Sequence, residues 1–338
     1  MALRFGLALQ NDFPRDADIA LRVAQMREQA QEASKSGVES LWVLQHYLGT
    51  MPTLQPLQAL SSIVDVSGDL GLGTNMYILP LRHPVGVAEE FATLDALSGG
   101  RALAGFGMGY RENEFAAFGV PMEERIGRYT ESIEIIRRLW SGERVTYAGT
   151  HFRIEDERIS LPPVREGGIP IFIGAGAHRV GIERAARLGD AWIVPPHVTG
   201  DRLERAIRLY RAARADLGAQ TQDRFMVRRE LVLHADRDRA LEEGTAARTR
   251  LTAEYGAYNA PDTTPDYAQL SNAQAAEQKA RDAYIFTDPA GAIEHLRALE
   301  EIGVTDVVLR MQWYDFPHER MLETLRMFRD EVLPYIAR

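Results

Sequence analysis

Several short stretches carry residue types that could do chemistry. In "VLQHYLG" His46 follows an apolar run. An imidazole can give or take a proton near neutral pH, although a lone histidine can also simply cap a strand. In "GAGAHR", residues 174–179, a glycine-rich turn leads into a helical stretch. Backbone N–H groups at a helix N-terminus favour an anion, and Arg179 with His178 would add charge-assisted hydrogen bonds. The plainer alternative is an ordinary turn with a surface arginine. In "GFGMGYRENEF", residues 105–115, Gly105, Gly107 and Gly109 imitate a nucleotide loop. A dinucleotide fingerprint needs G-x-G-x-x-G, but Tyr110 holds the sixth position and no Lys-Ser/Thr ending follows. The fingerprint fails. Alternating glycines at the end of a buried strand instead bare one face of the backbone to close approach, or relieve packing.

Composition narrows the chemistry. With no cysteine in 338 residues, disulfides, thiolate catalysis, thiolate zinc sites and iron–sulfur clusters are excluded. The eight histidines show no metal-binding spacing, so no metal is expected. A formal charge of −9 argues against a nucleic-acid or anionic-membrane binder. No apolar run reaches membrane-spanning length, and "MALRFGLALQNDFPRD" is too short in apolar residues for a signal peptide, so a cytoplasmic protein is expected.

The elements that must position these residues repeat along the chain. A helical stretch ends at a small residue and glycine, an acid often follows, and an apolar run comes next, as in "SGVESLWVLQ", "LGDAWIVPP" and "IGVTDVVLRMQ". Glycine suits a left-handed residue after a helix, and the apolar run is that of a strand buried on both faces. Eight such strands are expected, at 3–9, 40–44, 70–76, 101–107, 169–175, 191–195, 224–234 and 306–311. Alternation with helices gives the α/β class and predicts one (β/α)8 TIM-barrel domain over residues 1–338, with a doubly wound open sheet as the competitor. Insertions are expected at 141–168, after strand 4, as a turn-rich hairpin, and at 245–287, after strand 7, as a lid or a surface excursion. In a barrel, Gln10, Asn11, Gln312 and Trp313 follow the first and last strands and could line a substrate pocket, although an aromatic there can be mere packing. His83 is expected to fix the loop before a helix, and Arg101 to sit at the opposite, stability face.

The run "LGLGTNMYILPLRHPVGVAEEFATLDALSGGRALAGFGMGYRENEFAAFGV", residues 70–120, resembles the luciferase-like flavin-dependent monooxygenase superfamily, which also includes enzymes using a reduced deazaflavin. "SGVESLWVLQHY", "GAGAHRVGIERAARLGDAWIV" and "FTDPAGAIEHLRALEEIGVTDVVLR" extend the similarity; residues 11–30 and 245–285 fit poorly. The resemblance implies a (β/α)8 barrel, a catalytic His46 beside the flavin, and a non-prolyl cis peptide at Asn75–Met76 under the ring. It implies cofactor contacts from Thr74, Asn75, Met76, Gly107, Met108, Gly109 and Tyr110, and a phosphate site at Gly174, Ala175, Gly176, Ala177, His178 and Arg179. Two departures stand out. Gln45 replaces the acid that often precedes the histidine, and Met108 stands where luciferase-type members have an arginine for the flavin phosphate.

The function this implies is a two-component monooxygenase using reduced FMN and oxygen on a small organic substrate, fed by a separate NAD(P)H flavin reductase. Hydride transfer through an 8-hydroxy-5-deazaflavin is the alternative, and a non-catalytic flavin-binding paralogue the second alternative. A homodimer through "VGVAEEFATLDAL", residues 85–97, is also implied, although that apolar face equally suits the core.

Overall fold

The computed structural model describes residues 2–218, 223–258 and 283–336, without side-chain detail for 252–258. Eight parallel strands close on themselves: β1 (Arg4–Ala8), β2 (Ser40–Val43), β3 (Gly71–Thr74), β5 (Ala102–Gly107), β8 (Ile171–Gly174), β9 (Ala191–Val194), β10 (Phe225–Leu233) and β12 (Asp306–Arg310). Pairing of β12 with both β1 and β10, and of β10 with β9, closes the ring. Every expected strand is one of these eight, so the open-sheet competitor falls. Their legibility has a cause: β5, β9 and β12 are buried at every residue, which only helices on the outer face and side chains in the lumen allow.

The helices follow the strands: α1 (Ile19–Ala33), α2 (Pro56–Ser61), α3 (Pro84–Leu97), α4 (Glu112–Ala117), α5 (Arg125–Trp140), α6 (Arg179–Leu188), α7 (Gly200–Asp216), α8 (Arg237–Tyr258), α9 (Pro289–Glu301) and α10 (His318–Met327). Side chains of Asp18, His83, His178 and Asp288 cap α1, α3, α6 and α9. The apolar face of α3 is spent on the core, with Val87, Ala88, Phe91, Ala92 and Leu94 buried and only Leu97 of that set exposed.

The acids of the repeating unit tie strand starts together. Asp190 accepts the N–H of Ile171 at 2.8 Å, and Asp306 takes Arg4 and Arg224. Arg101 donates to the carbonyls of Ser98, Leu70 and Val64 at this same N-terminal face, as expected of a structural arginine. Gly37 and Gly303 are left-handed, at φ 78 and 94, whereas Gly189 is not; its place is taken by the close approach of Ile173, 2.5 Å from where a Cβ would sit.

The insertion after the fourth barrel strand contains an antiparallel hairpin, β6 (Val145–Ala148) with β7 (Arg153–Glu157). Asp95 holds its end to the barrel by accepting the N–H groups of Val164 and Arg165. The insertion after the seventh strand is only partly a polar excursion. Its first part continues α8, and β11 (Tyr284–Thr287) adds a parallel strand beside the C-terminal half of β10. Residues 259–282, on which the lid expectation rests, lie outside the described residues. No helix among the described residues is long and apolar enough to cross a membrane, and no cluster among them could hold a metal ion.

Candidate active site

The C-terminal ends of the strands bring the sequence candidates to one mouth. At the end of β3 the peptide Asn75–Met76 is cis, as the resemblance implies. Directly after it, β4 (Tyr77–Ile78) pairs with the end of β5. The glycines of "GFGMG" serve this turn. A Cβ on Gly105 would stand 1.8 Å from the Thr74 carbonyl oxygen, and one on Gly107 2.9 Å from Met76 Cβ. Thr74 Oγ1 donates to the Gly105 carbonyl at 2.9 Å and accepts its N–H at 3.0 Å. What approaches the bare backbone is therefore the end of the neighbouring strand. Gln45 holds the other side: its Oε1 accepts the Ile78 N–H at 2.7 Å while its Nε2 donates to Tyr47 Oη and Gln55 Oε1. That role needs an acceptor and a donor on one side chain, which an amide provides and a carboxylate does not.

His46, half-buried beyond β2, turns Nδ1 to within 3.8 Å of Glu114 Oε1 on α4. Glu114 is 1 % exposed. It accepts the Tyr47 N–H at 2.9 Å and Arg111 Nη1 at 3.0 Å, while Arg111 also donates to the Tyr47 carbonyl at 2.8 Å. Burial pushes the Glu114 carboxyl up, but His46, the Tyr47 N–H and Arg111 outweigh it and hold it below its usual value. The group is an imidazole backed by a permanent carboxylate, which suits proton transfer. Sequence reading missed Glu114 and Arg111, because nothing in "RENEF" tells which acid turns inward.

Just inside the mouth, Trp42, Leu44, Asn75, Arg228 and Arg310 line a small cavity with Ala8 and Leu9. Arg310 is 3 % exposed and donates to both oxygens of Asp12 at 3.2 Å. Arg229 and Glu230 follow Arg228 on β10, and Glu230 pairs with Arg248 of α8 at 3.2 Å. These charges were signalled in the sequence: "RFMVRRELVLH" and "DVVLRM" embed ions in strands buried on both faces, where an ion must be paired or face a cavity. A larger hollow of about 280 Å³ lies at the opposite, N-terminal face, among Arg4, Glu39, Asp69, Arg224 and Asp306. None of the site candidates lines it.

The four expected pocket residues are wall rather than surface. Gln10 donates to the carbonyls of Asp12 and Tyr314, and Asn11 to those of Leu44 and Leu54. Gln312 is tied to Gln29 and Phe316, and Trp313, fully buried, stacks on Phe286 and Phe316. Loops leaving the first and last strands must themselves be fixed, and these side chains do it.

At the anion candidate, Gly174, Ala175, Gly176 and Ala177 lead from β8 into α6, beside Gly107 at the end of the paired β5, whereas Gly109 lies against Ile78 and Phe115. Gly174 leaves room for Met76. His178 spends Nδ1 on the Gly181 N–H, as a helix cap. Arg179 does not join the site: its side chain is 86 % exposed and pairs with Glu183 at 2.8 Å along the helix. The arginine that reaches these loops is Arg184, whose Nη1 stands 3.3 Å from Met108 Sδ.

The sequence model of the luciferase-like monooxygenase family matches residues 3–306. An F420-dependent glucose-6-phosphate dehydrogenase of Amycolatopsis mediterranei is 28 % identical over 91 % of this chain and 92 % of its own length. A 4-hydroxyprotoasukamycin monooxygenase of Streptomyces nodosus subsp. asukaensis is 30 % identical over 57 % of this chain and 54 % of its own. Among solved structures, the monooxygenase RslO1 of Streptomyces bottropensis superposes with a TM-score of 0.88 at 21 % identity, over 98 % of this chain and 99 % of its own.

Proposed function

The chain belongs to the luciferase-like monooxygenase family, and from that premise we propose that it is a deazaflavin-dependent dehydrogenase. It moves a hydride between a hydroxyl-bearing organic substrate and an 8-hydroxy-5-deazaflavin of the F420 kind. The observation that carries this is the His46–Glu114 pair at the mouth. Oxidising an alcohol carbon breaks a C–H bond, whose electron pair leaves as hydride, and an O–H bond, whose proton needs a base. The deazaflavin, when bound, supplies the hydride acceptor. His46 takes the hydroxyl proton, and Glu114 stabilises the positive ring that results. Arg228 and Arg310, on the cavity wall, suit the oxygens of a polar substrate. The F420-dependent relative, similar along almost the whole chain, supports the same cofactor class.

This reverses the order in which the sequence alone ranked the two cofactors. The cis turn at Asn75–Met76 and the phosphate-side loops fit either ring, so the motifs that suggested FMN do not discriminate. A second reading, reduced FMN with oxygen and a separate NAD(P)H flavin reductase, is favoured by the monooxygenase relative, which covers a smaller share of the chain. A homodimer belongs to both readings.

An anaerobic titration with F420 and with reduced FMN, followed by mixing with oxygen, separates them. Tight binding of F420, and its reduction by an alcohol without oxygen uptake, is the expected result. Selective binding of reduced FMN with a transient flavin–oxygen absorbance would replace the first reading by the second. Binding of neither would remove both.

A further inference from the structure

We propose that Arg184 binds the phosphate next to the ribityl chain of the cofactor, filling in space the place that the sequence gives to Met108. This rests on the flavin or deazaflavin reading above, since both cofactor types carry phosphate at that position.

Strands β5 and β8 pair through Ala104–Phe106 and Ile171–Ile173, so Gly107–Met108 and Gly174–Ala175 leave the barrel side by side. Arg184 lies in the second turn of α6, the helix that starts from the second of these loops. Helical side chains tilt towards the helix N-terminus, and this one carries its guanidinium up to Met108, with Nη1 3.3 Å from Sδ. A thioether is a weak acceptor. Among the described residues no carboxylate comes within ion-pair distance of Arg184; burial, and then the positive charges of Arg187 and Arg125, work against its own charge. Tyr129 Oη donates to the Phe106 carbonyl at 2.9 Å, so the phenol stays neutral and offers no countercharge.

A half-buried guanidinium with a sulfur for its acceptor and two cations for neighbours is stabilised by an anion. The position identifies the anion, because the N-terminus of α6 opens on the same loop and favours negative charge. The fork of an arginine suits a phosphate in two-point contact. Arg179, the residue that motif position suggests, points into solvent and is held there by Glu183.

The test compares each ring system with and without its phosphate: FMN against riboflavin, and F420 against 8-hydroxy-5-deazariboflavin, by fluorescence titration. For the ring that binds, Arg184→Ala is expected to weaken the phosphorylated form roughly 10- to 100-fold and leave the phosphate-free form unchanged. Arg179→Ala is expected to change neither. The exchange variant Met108→Arg/Arg184→Met, in which the cation returns from the other loop, is expected to restore the preference for phosphate and guards against a folding defect. Equal weakening of both forms, or no change in either, overturns the assignment while the cofactor reading stands. If neither ring binds the native protein with or without phosphate, the cofactor reading fails and this assignment with it.

Discussion

His46 Nδ1 stands 3.8 Å from the Glu114 oxygen that also receives the Tyr47 N–H and the Arg111 guanidinium. One carboxylate oxygen thus faces the imidazole, fixes the loop that carries it and neutralises a buried cation. Glu114→Gln keeps the shape and removes the charge. Alcohol-dependent turnover is expected to fall roughly 10²-fold, with cofactor affinity little changed. A steady-state comparison of kcat with the cofactor dissociation constant checks this, and unaltered kcat would remove Glu114 from the proton path. Glu114→Ala should in addition lower stability by about 3–5 kcal/mol, because the buried Arg111 loses the carboxylate that balances its charge.

The opening between Gly105 and Thr74 tolerates no side chain. A methyl at Gly105 would meet a backbone carbonyl oxygen at 1.8 Å, and that carbonyl cannot swing away as a side chain could. Gly105→Ala is expected to displace the end of β3 and with it Asn75 in the cavity wall. Cofactor binding should be lost or weakened at least tenfold, measured by titration, in a protein whose far-ultraviolet dichroism still shows the barrel. Wild-type affinity in this variant would mean that the turn does not help form the binding surface.

Asp12 and Arg310 form a buried ion pair, at 1 % and 3 % exposure, in which Arg310 Nη2 is shared between both carboxylate oxygens. Replacing either alone takes the opposite charge from a buried ion, so Asp12→Asn and Arg310→Met should each cost about 3 kcal/mol. The double variant should cost less than the sum. Urea unfolding midpoints of the four proteins give the coupling, and strict additivity would show that the pair contributes no mutual stabilisation.

Asp306 titrates below its usual value, because Arg224 and Arg4 outweigh the effect of burial. Stability from a depressed carboxyl is present above the unfolded value, about pH 4, and is lost as pH falls through the folded one. Asp306→Asn should therefore lower stability at pH 7 and weaken the loss seen below pH 4. Chemical denaturation at pH 7, 4 and 3 follows both effects. An unchanged acid limb would assign acid sensitivity to other carboxylates.

The barrel was legible in the chain because a strand covered on both faces must be apolar throughout, and eight such runs alternate with helices. The cis peptide at Asn75–Met76, the position of His46 and the loop after β8 were legible through family motifs that occupy contiguous residues. Arg228, Arg229, Glu230 and Arg310 could have been marked, since an ion inside an apolar strand needs a cavity or a partner.

Other features were settled only when distant segments met. Asp12 and Arg310 are 298 positions apart. Arg179 and Arg184 sit five positions apart on one helix, about 140° apart around its axis, and the packing of α6 against the barrel decided which of the two turns to solvent and which to Met108. Residue types and their local spacing determined which segments become strands and helices, because those depend on periodicity and burial along the chain. Which charged groups face one another was decided by closure of the ring, because electrostatic pairing depends on distance through space and carries no periodic trace in sequence.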